Sequence, residues 1–283
     1  MAAGKVTRSV MWSAVERFST VGIQFILNIV IARILLPSDY GLIGMLTIFL
    51  SISQCLIDSG FSSALIQSKN RNDSDFGTVF IFNIIISISI YAVLYLAAPA
   101  ISRFYQQAIL VKVLRIVGLN LIISSLSNVQ KSILTINMDF KRQSFVTIPS
   151  AIISGFVGLI LAYSGFGVWS LVAQTLTNGF IQTFLFWMLT AERFKIVFDI
   201  NSFKRLGGFG VKLMLSGLLH TAYTNLYGLF IGKKYNAEDL GYYSRAEQFS
   251  VFPASILTDI VTRVAFPMLC QKQDNKVELS MAY

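Results

Sequence analysis

The sequence predicts an all-α polytopic membrane protein of about eight transmembrane helices, a six-helix lobe followed by the first hairpin of a second lobe. Three observations predict it. Apolar runs of roughly 20 residues, the length a bilayer core requires, recur along the whole chain. The composition is 54% hydrophobic and only 13% charged, with a mean hydropathy of +0.65, which excludes an ordinary soluble domain. A corner between two apolar helices occurs twice, so that Ile31, Asp39 and Gly41 answer to Ile231, Asp239 and Gly241 at an offset of 200 positions.

The first corner runs Ala32-Arg33-Ile34-Leu35-Leu36-Pro37-Ser38-Asp39-Tyr40-Gly41. Pro37 has no N–H and cannot continue the preceding helix, and Ser38 or Asp39 is placed to accept from the first free N–H groups of the next. Apolar runs joined by so short a turn lie antiparallel, as a membrane hairpin does. The echo runs Lys233-Lys234-Tyr235-Asn236-Ala237-Glu238-Asp239-Leu240-Gly241-Tyr242. Carried through, the offset predicts a second copy running to about residue 400, so the chain is expected to be a fragment or a truncated reading frame.

The expected spans cover 10–36, 40–58, 76–101, 110–137, 145–164, 167–190, 210–232 and 242–268. They divide the chain into an N-terminal lobe (1–190), a linker (191–209) and the start of a second lobe (210–283). In the loop after the second span, Phe61 to Gln67 suits a short interfacial helix. Met138 to Ser144 reads as a tight turn carrying Lys141 and Arg142. Ser164-Gly165-Phe166-Gly167 reads as a tight outer turn that needs glycine's backbone freedom. In the linker, Phe194, Val197, Phe198 and Phe203 alternate with Arg193, Lys195, Lys204 and Arg205, the pattern of an amphipathic segment on the inner leaflet.

The net charge of +9 does not form one basic soluble face, so nucleic acid is not an expected partner. The cations sort by membrane side instead. With the N-terminus inside, 12 fall in cytoplasmic segments, among them Lys5, Arg8, Lys141 and Arg142, against 5 opposite: Arg103, Lys112, Arg115, Lys233 and Lys234. That bias places the N-terminus in the cytoplasm. Met1 to Arg8 is not followed by a small-residue cleavage site, so the first helix is expected to stay as a working part. Cys55 and Cys270 have no disulfide or metal-ligand pattern. There is no nucleophile elbow, no phosphate-binding glycine loop and no His/Asp/Glu cluster with metal spacing; no enzyme, catalytic residue, metal or cofactor is expected.

Polar residues recur at helical spacing inside the spans. The first helix aligns Ser13, Glu16, Arg17, Thr20, Gln24 and Asn28; the second Thr47, Ser51, Gln54 and Asp58; the third Asn83, Ser87, Tyr91 and Tyr95. The fourth carries Asn120, Ser124, Ser127, Asn128, Lys131 and Thr135, and the sixth Ser170, Gln174, Asn178 and Gln182. Lys212, Ser216, His220, Tyr223 and Tyr227 mark the seventh, and Arg245, Asp259 and Arg263 the eighth. Such stripes are either hydrogen-bonding glue between helices or the wall of a water-filled cavity. Their recurrence on nearly every helix favours the cavity, with Gln24, Asn28, Asn120, Asn128, Gln174 and Asn178 as lining amides. Glu16 and Arg17 also read as interfacial, Arg33 as a snorkelling cation, and Asp259 and Arg263 as an i,i+4 pair that neutralises itself. His220 is either a proton carrier or a packing residue, and Asp58 either a coupling or a helix-end group.

The stretch Ile31 to Gly41, Asp58-Ser59-Gly60-Phe61, Ser63-Ala64-Leu65-Ile66-Gln67 and Leu240-Gly241-Tyr242-Tyr243-Ser244-Arg245-Ala246 resemble the Wzx-type lipid-linked oligosaccharide flippases. These belong to the multidrug/oligosaccharidyl-lipid/polysaccharide (MOP) superfamily, in the branch similar to colanic and teichuronic acid exporters. The likeness covers the whole chain. It implies a MATE/MOP-like pair of six-helix bundles with alternating access. It also implies transport of undecaprenyl-diphosphate-linked oligosaccharide across the bacterial inner (plasma) membrane, driven by a proton or sodium gradient. Carried onto this chain, Arg33, Lys131, Arg245 and Arg263 are the expected cationic contacts of the substrate, and Asp58, Asp259 and His220 the candidates for ion coupling. Expected partners are the lipid-linked oligosaccharide, membrane lipids, and a polysaccharide polymerase with other glycan-assembly proteins. A drug antiporter of the same superfamily and a non-transporting subunit of a glycan-assembly complex are the alternatives.

Overall fold

The computed structural model describes residues 3–58, 60–68, 71–190 and 194–250, with side chains from residue 8 onward. Asp259, Arg263, Cys270 and the larger part of the eighth expected span lie outside the described residues. The elements in order are α1 (Ala3–Ala32), α2 (Pro37–Asp58), α3 (Phe61–Gln67), α4 (Asp73–Tyr105), α5 (Ile109–Val117), α6 (Leu119–Ser125), α7 (Asn128–Ile136), α8 (Phe140–Tyr163), α9 (Val168–Leu189) and α10 (Ile200–Lys234). A further helical segment covers 237–250. Among the described residues there is no strand.

By length and composition, Arg8–Ala32, Pro37–Gln67, Asp73–Tyr105 and Phe140–Tyr163 are apolar enough to cross a membrane, and the bent run 109–136 makes a fifth. The eight expected spans therefore include helices richer in polar residues than a lone membrane helix. At 22 residues α9 is long enough, but Gln174, Asn178 and Gln182 dilute it. Such a helix needs neighbours that cover its polar side.

The corner differs from the expectation in an instructive way. Helix α1 stops at Ala32, before Pro37, and the proline is the first residue of α2 rather than the terminator of α1. Its missing N–H is harmless there, because the first N–H of a helix has no intrahelical partner. Asp39 then accepts from the Leu36 N–H at 3.2 Å. At the second corner Asn236 accepts from the Asp239 N–H at 2.8 Å. Each corner thus uses one half of a capping box, and the halves are opposite.

The fourth expected span is not one helix. It breaks after Val117 and Ser125, and its last third turns by 42°. Ser124, Ser125 and Ser127 each donate to the carbonyl three residues back, the bonding that competes with the helical ladder and bends it. Two side chains of α9 occupy carbonyls at the break: Thr183 Oγ1 donates to Ile123 at 2.8 Å and Trp187 Nε1 to Leu126 at 2.9 Å. A break at membrane depth is tolerable only with such partners.

Helix α8 packs between α1 and α9 through a small-residue face. Ser150, Ala151, Ser154, Gly155 and Gly158 are buried, and a methyl on Gly155 would overlap Leu27. Close backbone approach of this kind holds helices together where no hydrophobic gradient exists. The turn before α9 holds Gly165 at φ 79° and Gly167 at φ 53°, a region that costs other residues strain.

Two of the buried apolar clusters tie these helices together. Leu42, Met45 and Leu46 of α2 meet Ala98, Ile101 and Tyr105 of α4, Leu110 and Leu114 of α5, and Leu240. Near the other end, Phe61, Ala64 and Leu65 of α3 meet Val79 and Phe80 of α4, Val129 and Ile133 of α7, and Leu206 of α10. The linker is joined to this second core and does not lie on the surface alone. Phe203 stacks on Phe61 at 5.2 Å, Phe194 packs on Phe80 at 5.6 Å, and α10 begins at Ile200, ten residues before the expected span.

Candidate functional site

Helices α1 and α9 set the site, because both carry their amides and hydroxyls on one side. Polar side chains at positions 16, 17, 20, 24 and 28 of α1 span about 18 Å of helix at 1.5 Å per residue. They face two cavities in succession. The first, about 150 Å³, is lined by Glu16, Arg17, Gln24, Lys131, Gln143, Asn178 and Gln182. The second, about 330 Å³, is lined by Asn28, Tyr40, Thr47, Gln174, Ser244, Arg245 and Gln248. Helix α9 contributes to both in the same order, Gln174 to the second and Asn178 with Gln182 to the first.

In the first cavity Glu16 is 2% exposed. Thr147 of α8 donates to its Oε1 at 3.3 Å, and Arg17 follows it in sequence. Gln182 donates to Asn178 Oδ1 at 2.5 Å, and Gln143 donates to Thr135 Oγ1 at 2.9 Å. The wall is therefore a hydrogen-bonded lattice of amides around one carboxylate and two cations, Arg17 and Lys131. The break in the fourth span puts Lys131 there: it belongs to α7, beyond the 42° bend.

In the second cavity the Arg245 guanidinium lies over the Tyr40 ring, 3.3 Å from its centroid, and donates to Gln248 Oε1 at 2.8 Å. Face-on stacking leaves the edge of the guanidinium available. Arg245 Nε and the Tyr40 hydroxyl are buried without a hydrogen-bond partner among the described residues. Unpaired buried donors are costly, and both groups could hydrogen-bond a polar occupant.

The structure brings together six of the sequence-derived candidates. Gln24, Lys131 and Asn178 share the first cavity, and Asn28, Gln174 and Arg245 the second. The others do not join them. Asn128 donates to Asp58, which also accepts from Gln54, so Asn128 and Asp58 form a hydrogen-bonded cluster between α2 and α7. Asn120 Oδ1 is buried with no hydrogen-bond partner among the described residues, hard against Gly179 of α9. Arg33 is exposed at the corner, and His220 is exposed on α10; neither lines a cavity described above. Arg263 and Asp259 lie outside the described residues.

Part of the third stripe faces protein. Ser87 hydrogen-bonds Ser125 at 3.0 Å, Tyr91 donates to the Arg115 carbonyl at 3.0 Å, and the Arg115 guanidinium sits 4.0 Å over Tyr95. Ser87 and Tyr91 bond between helices, whereas the buried amide of Asn83 has no hydrogen-bond partner among the described residues and Tyr95 is exposed. Conversely, Glu16, Arg17, Gln143, Thr147 and Gln182 belong to the first cavity and were not among the candidate site residues. The signal for three of them was present, since Glu16, Arg17 and Gln182 continue the stripes of α1 and α9. Gln143 and Thr147, on α8, had no stripe to reveal them. Among the described residues no group of three or more His, Cys, Asp and Glu could hold a metal ion.

A family model described as polysaccharide biosynthesis protein matches residues 30–283. The chain belongs to that family. It is 29% identical over 232 residues to the teichuronic acid biosynthesis protein TuaB of Bacillus subtilis, a match covering 80% of this chain and 47% of that one. With the succinoglycan biosynthesis transport protein ExoT of Rhizobium meliloti it shares 24% identity over 99% of this chain and 57% of the relative. The lipopolysaccharide biosynthesis protein WzxC of Escherichia coli is 21% identical, again over 99% and 57%. The chain thus spans about half the length of these curated relatives.

Among solved structures, a MATE protein in complex with MaD5 aligns with a TM-score of 0.70 at 17% identity, over 99% of this chain and 69% of that one. A multidrug resistance MATE family transporter of the MOP superfamily, in an inward-facing conformation, aligns at 0.61 and 15% identity, over 95% and 69%. The chain therefore has the all-α, multi-pass MATE fold.

Proposed function

We propose that this family member forms the substrate-bearing part of a flippase that moves undecaprenyl-diphosphate-linked oligosaccharide units across the bacterial plasma membrane by alternating access. The observation that carries the reading is the pair of polar cavities on α1 and α9, with Lys131 and Arg17 in one and Arg245 in the other. A diphosphate and its sugar hydroxyls cross hydrocarbon only if protein groups replace their hydration. Amides and hydroxyls suit the sugars, and cations suit the diphosphate, arginine by its bidentate fork and lysine as a point charge. The names of TuaB, ExoT and WzxC, each tied to a cell-surface glycan, support the same substrate class.

In this reading the N-terminus is cytoplasmic, the residues from 210 onward begin a second lobe, and a proton or sodium gradient drives the cycle. Asp58, held between Gln54 and Asn128, is the coupling carboxylate among the described candidates. The lining of the two cavities has three cations against one carboxylate, Glu16, which disfavours a cationic drug as cargo. The test is translocation of a fluorescent lipid-linked glycan in vesicles, or glycan export in cells that depend on this protein. Lys131→Gln is expected to lower transport at least about tenfold, the loss of one charge-assisted contact, while the protein stays in the membrane. Unchanged transport removes Lys131 from the mechanism, and a wild-type protein that flips nothing yet co-purifies with a polymerase points to an assembly subunit instead.

A further inference from the structure

A third cavity belongs to neither chamber. It has a volume of about 640 Å³ and lies where the start of α1 meets the corner between α7 and α8. Arg8 and Trp12 of α1 line it together with Lys141, Arg142 and Phe145 of α8 and with Asp139 just before that helix. We propose that this cavity holds the headgroup of an anionic phospholipid, a phosphodiester with its glycerol backbone. The inference rests on the chain being membrane-embedded and not on what it transports.

Charge is the first argument. Three cations surround the cavity against one carboxylate, and that carboxylate is already engaged. Asp139 caps α8 by accepting from the Arg142 N–H at 3.1 Å, and it pairs with the Arg142 side chain at 3.3 Å. Arg8 and Lys141 have no carboxylate partner among the described residues. They come from two different helices, α1 and α8, and line one opening, so both can approach a single phosphate.

The aromatic walls are the second argument, and they select a lipid over a soluble phosphate. The Lys141 ammonium lies 5.7 Å from the Trp12 ring centroid and 5.9 Å from that of Phe145. Phe145 is 56% exposed, and it lies on the side of Lys141 toward the length of α8. An apolar ring standing open beside a cation is costly around a small hydrated ion and favourable around the glycerol and first methylenes of an acyl chain. Trp is also the residue that settles at headgroup depth.

Third, the cavity is built and held open by the fold. Ser9 Oγ donates to the Met138 carbonyl at 3.1 Å, fastening the start of α1 to the corner. Met138 sits there at φ 54°, and Phe140, 1% exposed, fills the floor. The opening is therefore a fixed feature and needs no side-chain collapse.

The experiment uses the purified full chain in detergent, titrated with phosphatidylglycerol or with phosphatidylethanolamine and read by native mass spectrometry. Wild-type protein is expected to retain phosphatidylglycerol preferentially. Each of Arg8→Gln and Lys141→Gln should weaken that retention about fivefold, the effect of one cation near an anionic headgroup. Lys112→Gln, an equal charge change at an exposed position of α5, should not. Far-ultraviolet circular dichroism and melting temperature should be unchanged in all three, since the substituted residues are exposed. Equal retention of both lipids, or an equal loss in Lys112→Gln, overturns the site. Displacement of the lipid by millimolar glycerol 1-phosphate or inorganic phosphate overturns the lipid as its occupant.

Discussion

Gly41 and Gly241 are each pressed onto the other's corner. A methyl on Gly41 would overlap the Ala237 carbonyl oxygen, and one on Gly241 would overlap the Pro37 carbonyl oxygen. Residue 37 answers to 237 and 41 to 241, so the contact is reciprocal, as at a two-fold interface. Two helix starts can approach backbone to backbone only if neither carries a Cβ there. Leu240, fully buried beside Gly44 and Gly232, locks the same junction.

Gly41→Ala is therefore expected to destabilise the protein by about 1–3 kcal/mol, the cost of overpacking a closed contact. Gly22→Ala, with no atom within 4 Å of the added methyl, should be neutral or stabilise by up to about 1 kcal/mol through helix propensity. Thermal unfolding in detergent separates the two. The double variant of Gly41 and Gly241 should cost less than the sum of the singles, because once the corners part the second methyl meets less. Strict additivity would mean the two contacts are independent.

The linker is clamped to α4 by Arg205, which donates to both carboxylate oxygens of fully buried Asp75 at 2.5 and 2.6 Å. Arg205→Met leaves that carboxylate without its main charge partner. The expected cost is about 2 kcal/mol, less than for a wholly buried pair because the arginine is 47% exposed. Asp75→Asn with Arg205→Met in a double-mutant cycle should show a coupling of about 1 kcal/mol or more. A coupling near zero would assign the clamp to Phe194 and Phe203 instead.

Asp199 caps α10, accepting from the Ser202 hydroxyl at 2.8 Å and from the Asn201 and Ser202 N–H groups. Those bonds, the Ser202 hydroxyl foremost, hold its carboxyl below the usual aspartate range. A depressed carboxylate adds stability above its unfolded value, and that stability is lost as pH falls through the folded value. Asp199→Ala should thus lower the melting temperature at pH 7 and have a smaller effect at about pH 3. An equal effect at both values would show that charge plays no part in the cap.

The bend that delivers Lys131 depends on α9. Thr183→Val removes the donor to the Ile123 carbonyl and should cost about 1 kcal/mol. Because the bend sets the place of Lys131, the same change should lower transport more than Ser89→Ala, whose exposed hydroxyl bonds only its own helix at Ile85. Identical transport by the two variants would separate the bend from the site.

Much of the site was legible in the stripes of α1 and α9, because a helix repeats about every four residues and polar positions at that spacing share a side. Gln24, Asn28, Gln174 and Asn178 were found this way, and all four line cavities. Asn120 and the stripe of α4 line neither of the two cavities. A stripe tells which way a helix faces but not what it faces, and α4 faces the broken fourth span. Asn128 and Asp58 were recognised as polar but not as partners, since no pattern in the sequence links positions 70 apart.

Alone, the sequence determined the class of the molecule, the positions of its corners and their offset of 200. Length, apolarity and turn chemistry are local properties, and the bilayer leaves few alternatives to helices. Only the tertiary structure decided that the fourth span breaks, that Lys131 reaches the cavity beside Glu16, and that the two corners close on each other's backbone. Those outcomes depend on which carbonyls Thr183 and Trp187 can reach and on where two glycines meet, and such distances exist only once the helices have packed.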